Sequence, residues 1–336
     1  MDLATRLEQF PREHLARTPT PLDVLPTLSA RLGPRVLLKR DDLTGLALGG
    51  DKPRKLEYEL ALARRDQADV VVTCGSMQSN HARLTTAAAR RLGMDCVVVL
   101  SRDAYDELQG NLLTVRLLGA DVRVVDVEDH WDLEGHVRTV CAELRAAGRR
   151  PHAVPISGTT PHSCLGYVRA GLELAAQLRE TGEEPAAFYL PFGTGGIFTA
   201  LTFALRDQGF ACPIVGISVN QDRVACQAEF RRWWTELSTL LGHDGEPPEA
   251  EIHDEFVGRE YGDPTEACLD AILLVARTEA VLLDPVYSGK TFAGFLAHHA
   301  AGRWSAGHRV VVLHSGGVPA LFAYHDALAA HLARRG

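Results

Sequence analysis

Gly49-Gly50-Asp51-Lys52-Pro53-Arg54-Lys55-Leu56-Glu57 is the stretch on which the reading of this chain turns. It joins an extended apolar segment, Val36-Leu37-Leu38-Lys39, to an amphipathic helix running from about Leu56 to Arg65. Paired glycines let the backbone bend tightly and leave room for a flat ligand. Lys52 follows on a turn before the helix, and Pro53 suits a first helical position, where its missing N–H costs nothing. A lysine desolvated at such a place becomes a usable nucleophile. Taken alone, Lys52, Arg54 and Lys55 read as a solvated basic turn, so the flanking segments must decide.

Outward from that stretch the pattern is regular. Strands are expected at 69–74, 95–100 and 121–125, between helices at 56–66, 80–92, 110–118 and 132–147. Val70-Val71-Val72-Thr73 and Cys96-Val97-Val98-Val99 are β-branched without polar alternation, as in strands buried on both faces. A second series runs through helix 164–180, strand 187–191, helix 196–208, strand 214–219 and helix 221–241. Helices at 264–278 and 291–301, strand 309–313 and helix 318–334 complete it. Short strands alternating with such helices make βαβ units and parallel sheets, so the fold class is α/β. The two halves are expected to exchange segments: residues 1–52 and 158–336 form a large domain and 53–157 a small one. Pro11, Pro19, Pro21 and Pro26 break an N-terminal arm, with one helical run near Leu22–Leu32. Gly242–Glu251 reads as a surface loop, and His298-His299 as solvated helix surface.

With 336 residues, 46% hydrophobic and 23% charged, the chain has material for one large or two medium cores. A formal charge of −8 argues against a nucleic-acid or anionic-membrane partner, so a basic site must be local and suited to a small anion. Seven dispersed cysteines without CxxC spacing suggest reduced thiols, a cytoplasmic setting and no zinc site, hence no metal. The first residues are too charged for a signal peptide, and no apolar run reaches a membrane span.

In open α/β sheets ligands bind beyond the carboxyl ends of the strands. Four such loops stand out. In Cys74–Arg83, Ser79 and Asn80 are natural N-caps, yet polar groups crowd this helix start enough to receive a carboxylate. Pro191-Phe192-Gly193-Thr194-Gly195-Gly196-Ile197 is a glycine turn that aims N–H groups at an anion. It lacks the spacing of a nucleotide P-loop and an acidic ribose partner, so a phosphate without a nucleoside fits better. Asp284–Lys290 carries Tyr287 and Ser288, and Leu313–Pro319 carries Ser315. No GxSxG surrounds these serines and no GxGxxG follows the first strand, which disfavours a serine hydrolase and a dinucleotide oxidoreductase.

Together the loops resemble the family of 1-aminocyclopropane-1-carboxylate deaminase and D-cysteine desulfhydrase. These are pyridoxal-phosphate enzymes of fold type II, tryptophan-synthase-β-like. The resemblance runs through LLKRDDLTG (37–45), GGDKPRKLE (49–57), MQSNHAR (77–83), GTGG (193–196), REYGDPTE (259–266), DPVYSGK (284–290) and HSGGVPAL (314–321). It implies two three-layer α/β domains with mostly parallel sheets and the active site in the cleft between them. It also implies pyridoxal 5'-phosphate as cofactor, a small amino-acid substrate and a homodimer.

The resemblance makes Lys52 the Schiff-base lysine, with Lys55, Gly193, Thr194, Gly195 and Gly196 on the phosphate. Asn80 would bond the ring oxygen, and Ser79 would receive the substrate carboxylate or assist proton transfer. Gln78 and His81 would lie beside it, Tyr287 would stack near the ring and Tyr261 would face the substrate. The deaminase has Tyr-Glu-Gly where this chain has Tyr287-Ser288-Gly289, and a leucine where Ser315 stands. Ser288 and Ser315, read as the groups that tune the ring, therefore point to the β-eliminating branch with desulfhydrase and L-cysteate sulfo-lyase. Asp51 replaces the family's asparagine, and Ile197 a common threonine. The expected reaction is elimination of a sulfur leaving group to give a 2-oxo acid and ammonia. The alternatives are β-replacement, the ring-opening deaminase and a non-catalytic ligand-binding relative.

Overall fold

A computed structural model describes residues 2–127 and 129–335. Ten strands are present among them: β1 Leu22–Val24, β2 Arg35–Arg40, β3 Val70–Ser76, β4 Asp95–Ser101, β5 Asp121–Val125, β6 Pro151–Ala153, β7 Ala187–Phe192, β8 Ile214–Ser218, β9 Glu251–His253 and β10 Arg309–His314. They form a six-stranded sheet in the order β1-β2-β10-β7-β8-β9 and a four-stranded sheet in the order β5-β4-β3-β6. All pairings are parallel except the short β1–β2 pair. The α/β fold with two mostly parallel sheets is thus the expected one.

The apolar runs explain themselves once helices cover both faces. In the four-stranded sheet, Val71, Cys96, Val98 and Leu100 pack with Leu56, Leu60 and Leu84 of the helices Lys52–Arg65 and Asn80–Arg91. Val70, Val72, Val97 and Val99 face the opposite way, onto Leu133, Val137 and Val140 of the helix Leu133–Ala146. Each such side chain contributes about 1.5–3 kcal/mol on burial. The helix Lys52–Arg65 packs between Asn80–Arg91 and Pro161–Thr181, so its first ten residues are all buried, lysines included.

Several local expectations are corrected. The helix expected at Leu22–Leu32 is strand β1 followed by a helix Pro26–Leu32, because Pro26 opens the helix and residues 22–24 pair with β2. The polar stretch expected as loop ends in β9, which adds an edge to β8. The helix expected over 318–334 is two pieces, Ala320–Ala323 and His325–Arg335. His298 is no solvated surface residue: its Nδ1 lies 2.7 Å from the Tyr189 hydroxyl, which also accepts from Trp304 Nε1. No helix of the described residues is long and apolar enough to cross a membrane.

Candidate active site

The helix that starts at Lys52 presents two different sides in its first turn. Arg54 points back into the protein, where its guanidinium meets both oxygens of Asp41 at 2.9 and 3.0 Å and both oxygens of Glu173 at 2.8 and 3.0 Å. The hydroxyls of Thr20 and Tyr167 donate to Asp41 at 2.7 and 2.8 Å. Burial alone would raise the Asp41 carboxyl, but Arg54 and Lys39 hold it below the usual range. A guanidinium with every fork filled fixes the register of this helix against Pro161–Thr181.

Lys52 and Lys55 point the other way. Lys52 Nζ lies 2.5 Å from Asp51 Oδ2 and 5.9 Å from the centre of the Tyr287 ring. Lys55 Nζ donates to Ser157 O at 2.8 Å and Thr159 Oγ1 at 2.7 Å, and Thr159 in turn meets the Thr194 hydroxyl at 2.7 Å. Burial, then the charge of Lys52, pushes the Lys55 ammonium down to about 7. Without an anion beside it, this ammonium is under-compensated.

A candidate anion site lies opposite. After β7 the chain turns through Gly193–Gly196 into the helix Gly196–Asp207, whose first N–H groups have no intrahelical partner. Gly195 has φ +84°, and a Cβ at Gly196 would stand 2.5 Å from the Thr159 methyl, so only glycines allow this turn. Trp233 Nε1 donates to Thr194 O at 2.7 Å and pins the loop from outside. One cavity is lined by Lys52, Lys55, Asn80, Thr194 and Ser315 together with the four-residue glycine turn and Tyr287. A helix N-terminus, a buried lysine and a flat glycine-walled slot fit a ring carrying one phosphate.

A second cavity of about 220 Å³ opens from the first and is lined by Lys52, Ser79, Asn80, His81, Tyr261 and Tyr287, among others. Ser79 caps the helix Asn80–Arg91 by accepting from Ala82 N, and keeps its hydroxyl hydrogen for the cavity. Asn80 Oδ1 is occupied by Asn111 Nδ2 at 3.0 Å. The Tyr261 and Tyr287 hydroxyls lie 2.8 Å apart, and burial pushes the Tyr287 phenol well up.

Not every expected residue presents a free group. His81 lines the wall, but its ring nitrogens meet Thr73 at 2.8 Å and Thr85 at 3.3 Å, and burial keeps it neutral. Gln78 spends its amide on Tyr105 O, Gln109 O and Asn111 N, bracing the segment 105–111. Ser288 does not line either cavity; its hydroxyl donates to Asp284 Oδ1 at 2.6 Å and accepts from Asp284 N. Ser315 does line the first, beside Gly316, whose added Cβ would stand 2.5 Å from Gly50 Cα. The first and last glycine loops therefore touch backbone to backbone, and Asp51 N donates to Ser315 O at 2.8 Å.

Sequence reading missed Ser157, Thr159, Trp233, Asn220 and Gln221. The cluster Ser157-Gly158-Thr159-Thr160 before a helix carried a legible signal, whereas Trp233 sits mid-helix and carried none. Away from the cleft, Glu251, His253 and His298 bring possible metal-ligand atoms within 4.8 Å of one another. Glu251 is already claimed there by Arg303 and His253.

Comparison with known proteins identifies the family. The family model "Pyridoxal-phosphate dependent enzyme" matches residues 14–316. A D-cysteine desulfhydrase of Serratia proteamaculans is 37% identical over 330 residues, covering 97% of this chain and 99% of that protein. A Pyrococcus furiosus protein, named provisionally as a 1-aminocyclopropane-1-carboxylate deaminase, is 35% identical over 326 residues, covering 97% and 98%. The crystal structure of an ACC deaminase homologue superposes with a TM-score of 0.91 at 36% identity, covering 97% and 98% of the two chains. The chain therefore belongs to the ACC deaminase / D-cysteine desulfhydrase family of pyridoxal-phosphate-dependent enzymes of fold type II.

Proposed function

We propose that this enzyme is a deaminating β-elimination lyase for a small amino acid with a sulfur-type leaving group, D-cysteine desulfhydrase-like. Its products would be a 2-oxo acid, ammonia and sulfide, or sulfite from cysteate. The observation that carries this reading is the meeting of Lys52, Lys55, the Gly193–Gly196 turn and the Ser79–Asn80 helix start in one cleft. Pyridoxal phosphate, when bound, supplies the electron sink that makes an amino acid's α-proton acidic. Lys52 would hold the cofactor, and its Nζ would take the α-proton, with Asp51 Oδ2 at 2.5 Å to pair with the resulting ammonium. Lys55 and the N–H groups of the glycine turn would hold the phosphate. The Ser79 hydroxyl and its helix N-terminus receive the substrate carboxylate, and Tyr261 and Tyr287 close the opposite wall. Ser315, rather than Ser288, is the hydroxyl left to meet the ring edge. The domain boundaries at 52/53 and 157/158 and a homodimer belong to the same proposal; sedimentation tests the latter.

Similarity to the ACC deaminase homologue keeps the ring-opening reaction as a second reading. The experiment is product analysis on purified enzyme with D-cysteine, L-cysteine, L-cysteate and 1-aminocyclopropane-1-carboxylate. Pyruvate with sulfide or sulfite supports elimination, 2-oxobutyrate supports ring opening, and a new adduct with an added thiol supports β-replacement. A protein that pyridoxal phosphate cannot colour would end all three.

A further inference from the structure

His314 ends β10 with its side chain fully buried, and it lines neither cavity. The loop that follows does: Ser315, Gly316 and Gly317 form one wall of the slot beside Lys52. Both glycines have positive φ, +101° and +91°, and their missing side chains let Gly50 and Asp284 press close. Gly316 N donates to His314 Nδ1 at 3.2 Å, and His314 Nε2 lies 3.0 Å from Leu282 O. Leu282 leads into the turn where Asp284 Oδ2 accepts from the N–H groups of Val286 and Tyr287, both at 2.9 Å. One imidazole thus joins the wall bearing Ser315 to the turn bearing Tyr287.

The backbone on either side fixes the state of that ring. An amide N–H only donates and a carbonyl only accepts, so Nδ1 is bare toward Gly316 and Nε2 carries the proton toward Leu282. A second proton would set Nδ1–H against the Gly316 N–H and push the wall away. The charged groups that face the ring are Asp42, with Oδ2 3.8 Å from Nε2 and 2.8 Å from Arg40, and Asp284. Burial, before any charge, keeps the ring below the usual histidine range; Asp42 and Asp284 oppose this and Arg40 assists it.

We propose that His314, as its Nε2–H tautomer, is the positioning residue for the ring-edge wall of the cofactor slot. Through Gly316 it sets where Ser315 stands, and through Leu282 it ties that wall to the turn that carries Tyr287. It touches neither cofactor nor substrate and acts only through these two backbone groups. The proposal rests on reading Ser315 as the hydroxyl at the ring edge, and it adds the residue that keeps that hydroxyl in place.

The test compares the holoenzyme with His314→Asn, His314→Gln and Ser315→Ala. Asparagine brings an amide oxygen near the place of Nδ1; glutamine brings an amide nitrogen near the place of Nε2 and leaves Gly316 without an acceptor. The cofactor's visible absorption should stay native-like in His314→Asn and move in His314→Gln, in the same direction as in Ser315→Ala. Any other order of the two histidine variants, including equal effects, overturns the proposal. If Ser315→Ala leaves the absorption unchanged, the ring-edge reading of Ser315 fails by itself. The order is then read in the affinity of the apoproteins for pyridoxal phosphate, where His314→Gln should bind at least ~10-fold more weakly than His314→Asn. Nitrogen NMR of the histidine-labelled native holoenzyme, with the His314 signal identified by its loss in His314→Asn, needs no variant to keep its fold around the cofactor. A neutral ring with the proton on Nε2 is expected; a proton on Nδ1, or a charged ring at neutral pH, overturns the proposal.

Discussion

Arg54 and Lys55 are neighbours in sequence and equally buried, yet they live in opposite electrostatic worlds. Behind the helix, Arg54 has a carboxylate on each side and two hydroxyls completing the network. In front, Lys55 has one carbonyl and one hydroxyl, and Lys52 has one carboxylate. The difference teaches which buried charges are scaffold and which are chemistry. A saturated charge holds a shape, whereas an under-partnered one waits for a ligand. The two serines of the ring-edge loops divide the same way, Ser288 engaged by Asp284 and Ser315 facing the cavity.

This contrast can be broken in several places. The largest effect is expected at Lys52→Ala: turnover falls by at least ~10²–10⁴-fold, and the cofactor no longer stays with the protein after denaturation. On the scaffold side, Arg54→Ala takes the hydrogen-bonded cation from buried Asp41 and leaves Glu173 to Lys39 alone, and should cost about 3–5 kcal/mol in a urea titration, with little cofactor-specific effect. Asp41 and Glu173 are both held below the usual carboxylate range in the folded protein. Their contribution is therefore complete above the ordinary carboxylate pKa and lost as pH falls through the lowered folded values. The native protein should lose stability only at strongly acid pH, which a pH series of thermal melts would show.

Lys55 gives the intermediate effect. Its ammonium titrates at about 7 in the free protein, and a bound phosphate would raise that value. Phosphate binding to the apoprotein should therefore take up a proton above that pH. Affinity should fall by up to about tenfold per pH unit there, until the bound-state value is passed. Calorimetry in buffers of different ionisation heat measures the uptake. Ser288→Ala should cost about 1–3 kcal/mol of stability and leave the cofactor spectrum alone, while Ser315→Ala should do the reverse. The smallest effect is expected at Asp51→Asn, which frees Lys52 of its ion pair and should speed covalent capture of pyridoxal phosphate, followed by absorbance.

Much of this was legible in the residues. Unbroken β-branched runs such as Val70–Val72 announce a strand covered on both faces, because no alternation is needed there. The glycine turn and Lys52 are local features, and local features can be read. Strands of three residues could not be, since β6 and β9 exist only because a neighbouring strand offers its edge. The resemblance makes Gln78 and Ser288 site residues, but in the fold the Gln78 amide is taken by the sequence-distant segment 105–111 and the Ser288 hydroxyl by Asp284 of its own loop. Trp233 braces the Gly193–Gly196 turn from the helix Arg223–Leu241, with no signal in its own surroundings.

The placement of β2 bears on how the chain is made. Arg35–Arg40 has only three-residue β1 on one side, and on the other it pairs with Arg309–His314. During synthesis its buried Val36, Leu37 and Leu38 must wait, edge open, for nearly the whole chain to emerge. Meanwhile the four-stranded sheet, closed within 70–153, has all its strands in hand. An open apolar edge is a template for pairing with other chains, so the order of emergence makes nascent β2 the segment most in need of a chaperone's cover.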